Sequence, residues 1–237
     1  MRTKIWNSDV ECMDRERLRA LQGERLRAVV KREYENVPLY RERMDEKGVK
    51  PADIRTVDDL QYLPFMEKTD LRDTFPYGLF AAPKKDIVRI QGSSGTTGKP
   101  IVSGYTQNDI DAWTEMMART LTAAGADENS IVQVCYGYGL FTGGLGAHQG
   151  AGRIGAMTVP MSSGNTQRQI MMMLELGTTH LCCTPSYALY LGETLEKMRI
   201  DRSQLKLKAG CFGAEPWTEE MRGEIERLLG LDALDIY

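Results

Sequence analysis

The chain has 237 residues, 42% of them hydrophobic and 27% charged, and a formal net charge of −3. That length can bury a large core as one or two domains, the balance is ordinary for a globular protein, and the charge leaves no electrostatic footprint for nucleic acid. No run approaches the ~18 uninterrupted apolar residues of a membrane span, and Met1-Arg2-Thr3-Lys4-Ile5-Trp6 lacks the apolar core of a signal peptide, so the expected location is the cytoplasm.

The first 80 residues read as a charged, mostly helical layer. Leu18, Leu21, Leu26, Val29 and Val30 make a helical stripe. Pro38 opens a second helix that ends near Gly48, and two short helical patterns flank Pro64. From Ile87 the texture changes. Ile87-Val88-Arg89-Ile90 alternates as a strand, a Gly/Ser/Thr loop follows, and Ile101 to Tyr105 reads as a second strand. Thr106 suits the N-cap of a helix whose buried face carries Trp113, Met116, Met117, Thr120 and Leu121 and which stops near Gly125.

Further strands are predicted at 131–135, 156–159, 180–183, 207–211 and 234–237, with helices at 166–176, 185–198 and 218–229 between them. Strand–helix units of ~25 to 30 residues imply right-handed crossovers and a largely parallel sheet. The predicted class is therefore α/β, a largely parallel sheet flanked by helices. Residues 1–80 form a helical N-terminal region and residues 81–237 an α/β core. The cysteines Cys12, Cys135, Cys182, Cys183 and Cys211 are odd in number and unevenly spaced, which fits reduced thiols better than disulfides. Cys182 and Cys183, adjacent on one strand, should face opposite sides. The two histidines, His148 and His180, form no zinc spacing.

The most informative segment is Gly92-Ser93-Ser94-Gly95-Thr96-Thr97-Gly98-Lys99-Pro100. Glycines let backbone N–H groups turn toward an anion, hydroxyls donate hydrogen bonds and Lys99 adds charge, which together suit a polyphosphate. It is not a P-loop: Ser93 stands where that pattern needs its first glycine, and Pro100 where it needs a hydroxyl. By itself such a segment also has a plainer reading, a Gly/Ser/Thr turn with a solvated lysine.

The loop closely resembles the phosphate-binding signature of adenylate-forming enzymes, the acyl-CoA synthetase superfamily. Further blocks follow in that superfamily's order: Tyr136-Gly137-Tyr138-Gly139-Leu140-Phe141-Thr142-Gly143-Gly144, Thr184-Pro185-Ser186-Tyr187, Phe212-Gly213-Ala214-Glu215-Pro216-Trp217 and Asp235-Ile236-Tyr237. With Leu63-Pro64-Phe65 and Asp70-Leu71-Arg72 near the front, they resemble the phenylacetate–CoA ligase family, over the N-terminal part of its members only.

The resemblance implies part of a large N-terminal adenylating domain, and ATP, Mg2+ and coenzyme A as cofactor and substrates. A carboxylate, phenylacetate or another aryl acid such as indoleacetate, is converted through an acyl-adenylate to its CoA thioester, with release of AMP and pyrophosphate. Ser93, Ser94, Gly95, Thr96, Thr97, Gly98 and Lys99 are then expected at the phosphates. Gly213, Ala214, Glu215, Pro216, Asp235, Ile236 and Tyr237 are expected at the adenine, and Tyr136, Phe141, Gly143 and Ala214 in the acyl pocket. Taken alone, Glu215 also reads as a solvated carboxylate, Tyr237 as a strand-end tyrosine, His148 as a structural histidine, and the glycine-rich run as a loop folded on its own aromatics. The family's magnesium-binding glutamate and adenylation lysine have no counterpart in these residues. The expectation is an incomplete enzyme, with a non-catalytic nucleotide-binding module or half of a split enzyme as the other reading. Members of the family often dimerise, and a homodimer is expected on that ground.

Overall fold

The computed structural model describes residues 4–93 and 101–236. Its contacts divide the chain into two units, one of Ser8–Ile110 and one of Asp111–Tyr237 joined by residues 4–7.

The Ser8–Ile110 unit contains α1 (Ser8–Glu11), α2 (Arg15–Asn36), α3 (Pro38–Glu46), α4 (Lys68–Asp73) and a hairpin of β1 (Ile87–Gly92) and β2 (Val102–Thr106). Asp14 starts α2 by accepting the Arg17 backbone N–H at 2.9 Å, satisfying one of the open donors of the first turn. The helix ends where Val37, extended ahead of a proline, hands the chain to Pro38 at the first position of α3. Val30, Met44, Ile54 and Leu63 form the core here, with Leu26 packed against it. Of the expected α2 stripe, Val29 is exposed instead, because the buried face is one residue narrower than the apolar run.

The second unit is built on a five-stranded parallel sheet. In chain order the strands are β3 (Ile131–Val134), β4 (Met157–Pro160), β5 (His180–Cys183), β6 (Ala209–Gly213) and β7 (Asp232–Ile236), and their spatial order is β4-β3-β5-β6-β7. The connecting helices are α6 (Thr142–Arg153), α7 (Thr166–Leu176), α8 (Pro185–Lys197) and α9 (Glu219–Leu229), with α5 (Gln107–Ala123) preceding β3. Alternation along each strand separates two cores. Leu181, Cys183 and Phe212 pack with Ile170, Leu191 and Ile225 of α7, α8 and α9. Cys182 and Cys211 pack on the other face with Leu121 of α5 and Ala147 and Ala151 of α6. The predicted opposition of Cys182 and Cys183 is what is seen.

The last two strands sit slightly off their predicted positions, at 209–213 and 232–236, because their pairing is set by the sheet: Ala209 lies opposite Asp232 and Gly213 opposite Ile236. Helix α6 was not predicted at all. Five of its twelve residues are glycine, each opposing a helix by about 1 kcal/mol, so propensity points away from it. Packing decides instead. A Cβ on Gly146 would stand 2.8 Å from the Trp113 indole nitrogen, and one on Gly150 would stand 2.6 Å from Met117 Cβ, so the glycines let α6 approach α5 closely. No helix among the described residues is long and apolar enough to cross a membrane.

Candidate functional site

From β3 the chain passes through α6 to β4 on one side, then returns through α7 to place β5 on the other side of β3. Neighbouring connections therefore leave the sheet in opposite directions between β3 and β5. In parallel sheets a crevice opens at such a switch point, outside the carboxyl ends of the strands. Here it holds a cavity of about 360 Å3. Cys135, Tyr136 and Gly137 line it from the end of β3, Ser163 and Gly164 from the loop after β4, and Thr184, Ser186, Tyr187 and Tyr190 from the start of α8. Flat phenol faces, glycine backbone and three hydroxyls fit a ligand part apolar and part hydrogen-bonding.

The site is built to bind and not to attack. Burial pushes the Cys135 thiol up to about 12. It lifts the Tyr136 phenol well above its usual range and the Tyr138 phenol to about 12. All three stay protonated at neutral pH, so Cys135 supplies no thiolate nucleophile. Tyr138 is held by the His148 ring, its hydroxyl 3.2 Å from Nδ1, which gives His148 a structural partner. Among the described residues no group of three or more His, Cys, Asp or Glu side chains is placed to hold a metal ion.

The predicted residues distribute as follows. Tyr136 lines the cavity, and its hydroxyl reaches the Cys211 carbonyl on β6 at 3.4 Å. Gly143 lies under that ring, where a Cβ would come within 3.2 Å. Phe141 precedes α6 and is 56% exposed, outside the cavity lining. Gly213 ends β6 opposite Ile236 of β7. Ala214 follows with φ of 74°, a left-handed conformation unusual for a residue with a Cβ, which turns the chain off the sheet. Glu215 then reaches the first turn of α8, accepting the Ser186 N–H at 2.7 Å. Trp217 Nε1 donates to Asp235 at 3.0 Å, while the Arg222 guanidinium lies 4.4 Å over the indole. Residues 213–217 and 235–236 are thus one assembly, and Glu215 ties it to the rim of the cavity.

Ser93, in the other unit, closes the neck of the Gly/Ser/Thr loop. Its N–H donates to the Ile101 carbonyl at 2.9 Å and its hydroxyl accepts the Ile101 N–H at 3.0 Å. Ser94, Gly95, Thr96, Thr97, Gly98 and Lys99, and Tyr237, lie outside the described residues. Sequence reasoning missed Ser163, Gly164 and Tyr190 as cavity walls, whereas Thr184, Ser186 and Tyr187 belong to a block that carries the family resemblance. The available signal was the run Met161-Ser162-Ser163-Gly164-Asn165 at the carboxyl end of a strand, small and polar where a ligand would lie.

No protein-family model matches the chain. Curated proteins do. The chain is 52% identical over 220 residues to the phenylacetate–coenzyme A ligase of Pseudomonas putida, an overlap of 93% of this chain and 50% of that protein. It is 52% identical over 229 residues to the phenylacetate–coenzyme A ligase of Escherichia coli K12, an overlap of 96% and 52%. Among solved structures, a 2-hydroxyisobutyryl-CoA ligase in complex with 2-HIB-AMP and CoA in an open conformation superposes with a TM-score of 0.91 at 26% identity, over 99% of this chain and 56% of that one. The same ligase in the thioesterification state gives 0.91 at 27%, over 98% and 51%. The chain spans about half the length of the curated relatives it matches.

Proposed function

We propose, from a chain related over nearly its whole length to phenylacetate–coenzyme A ligases, that it forms part of an ATP-dependent ligase of aryl carboxylic acids, phenylacetate first among them, acting in the cytoplasm. A carboxylate oxygen attacks the α-phosphorus of ATP, the bond to the β-phosphate breaks and pyrophosphate leaves. The thiol of coenzyme A then attacks the acyl carbon, AMP departs and the thiol proton is released. The identity of 52% over 229 residues to a phenylacetate–coenzyme A ligase carries this reading. As that match covers half of the relative, the proposal concerns the whole enzyme's reaction.

The geometry supports it. Neither step needs a protein nucleophile, and the cavity's Cys135 thiol and Tyr136 phenol stay protonated, which suits walls that hold reactants in place. Tyr136, Phe141, Gly143 and Ala214 are proposed to face the aryl group. Gly213, Ala214, Glu215, Pro216, Asp235, Ile236 and Tyr237 are proposed to face the adenine, and Ser93 through Lys99 the phosphates. The hydrogen bond from Tyr136 to the Cys211 carbonyl, two residues before Gly213 on β6, supports an acyl-adenylate that reaches from the first group to the second. Magnesium is proposed to accompany ATP. The described residues gather no cluster to ligate it, so no step here runs through the metal.

The test is exchange of labelled pyrophosphate into ATP by the full-length protein, followed by thioester formation on adding coenzyme A, across phenylacetate, indoleacetate, benzoate and short aliphatic acids. Exchange that depends on phenylacetate supports the proposal. Exchange indifferent to any aryl acid would sink it.

A further inference from the structure

A chain of amides runs through the apolar layer between the sheet and α7. Gln133 on β3, Gln169 on α7 and Thr178 just after α7 have no exposed surface. The Thr178 hydroxyl donates to Gln133 Oε1 at 3.0 Å, and Gln133 Nε2 donates to Gln169 Oε1 at 2.8 Å. Gln169 Nε2 in turn donates to the carbonyls of Ser162 at 2.7 Å and Gly164 at 3.2 Å. The Cys135 thiol adds a second donor to Gln169 Oε1, at 3.1 Å. A glutamine amide has two N–H donors and two acceptor sites, so Gln169 is fully used. The direction is fixed as well: donors run from Thr178 outward, and the last two end on backbone.

That backbone is the loop after β4. Ser162, Gly164 and Asn165 all adopt left-handed conformations, with φ of 63°, 88° and 48°. Two of the three carry a Cβ and would relax without support. On the opposite side the Tyr187 hydroxyl donates to the same Gly164 carbonyl at 3.3 Å. Between these two holds, Ser163 and Gly164 form one wall of the switch-point cavity. A methionine at 169 would fill the core equally well, but it would strip the Ser162 carbonyl of its amide donor, leave Gly164 to Tyr187 alone and leave Gln133 Nε2 only the main-chain carbonyl of residue 169.

We propose that Gln169 is a positioning residue for this cavity: its amide sets the loop Ser162–Asn165 and, through Ser163 and Gly164, the affinity for whichever reactant lies there. The loop half of this inference stands on geometry alone, and the affinity half rests on the ligase reading above.

Two variants of the full-length protein test it, Gln169→Glu and Gln169→Met. The first keeps the shape but turns a carboxylate toward two carbonyls. The second keeps the bulk but removes every side-chain hydrogen bond of residue 169. Amide exchange across residues 161–165 should rise roughly tenfold while β5 stays protected. The KM for the acid, ATP or coenzyme A should rise roughly tenfold with kcat nearly unchanged, the mark of lost binding and not of lost chemistry. If Gln169→Glu does not fold, Gln169→Met carries both readouts. A folded variant with wild-type loop exchange and wild-type KM values overturns the proposal. If the wild type forms no adenylate, the ligase reading fails, and loop exchange alone decides whether Gln169 positions the loop.

Discussion

The Glu215 carboxylate caps a helix to which it does not belong: it accepts the Ser186 backbone N–H at 2.7 Å, across 29 residues of sequence. Positions 185–187 in the first turn of α8 are then accounted for. Pro185 has no N–H, Ser186 is held by Glu215, and the Tyr187 N–H lies 3.4 Å from the Thr184 hydroxyl. Negative charge at a helix N-terminus is also favourable in its own right. Glu215→Ala should cost about 1 kcal/mol, and Glu215→Gln, which keeps an acceptor but loses the charge, about half that. Urea unfolding followed by tryptophan fluorescence reads this directly, since Trp6, Trp113 and Trp217 all lie in the unit that holds α8. Equal stability of Glu215→Ala and the wild type would mean the contact contributes nothing.

Glycines of two kinds sit in these helices, and the same substitution should act on them in opposite directions. Gly223, in the middle of α9, is exposed with nothing within 4 Å of a built Cβ. Gly223→Ala should stabilise by about 0.5–1 kcal/mol through reduced backbone freedom in the unfolded chain. At Gly150 the Cβ would meet Met117 at 2.6 Å and its backbone carbon at 2.8 Å. A backbone cannot step aside as a side chain can, so Gly150→Ala should destabilise by about 1–3 kcal/mol. Melting temperatures of the two variants should bracket that of the wild type.

These glycines also show where sequence stopped being legible. Helix α7 could be placed to the residue, because its apolar stripe ends at Gly177, which takes the left-handed C-cap with φ of 68°. Strand β5 was equally clear as a short apolar run, buried at all four positions. Helix α6 was hidden, since its glycines carry information about α5, and only the assembled fold says what they face. The cavity was half-visible. Tyr136 follows a recognisable strand, whereas Ser163 and Gly164 matter because the strand order puts their loop at the switch point, and strand order is not written locally. The partnership of Gln133 with Gln169, 36 residues apart, was out of reach for the same reason.

Cysteine reactivity offers a test of the two cores. Cys12 is exposed, while Cys135, Cys182, Cys183 and Cys211 are buried and free. Burial holds the Cys135 thiol near 12 and raises the Cys183 thiol well above its ordinary value. The thiolate is the reactive form. An aromatic disulfide reagent at pH 8 should therefore titrate one thiol rapidly in the native protein, and all five only in denaturant. Fast reaction of two or more native thiols would show that the sheet interior opens readily.

Acid should weaken the Ser8–Ile110 unit through Asp70. Both carboxylate oxygens take a guanidinium nitrogen of Arg43 at 2.6 Å, and Oδ2 also accepts the Glu67 N–H at 2.6 Å in the first turn of α4. The hydrogen bonds from Arg43, then the one from Glu67, hold the carboxyl below its ordinary value of 3.8. A group whose pKa is lower folded than unfolded contributes stability above the unfolded value and loses it as pH falls through the folded one. The contribution is thus whole at pH 7 and fades below about 3.8. Asp70→Asn removes it at every pH. The urea midpoint of that variant, followed by circular dichroism, should lie below the wild type at pH 7, and the gap should narrow as the pH drops below about 3.8. A gap that stays constant across that range would show that Asp70 acts through the shape of the α4 turn and not through its charge.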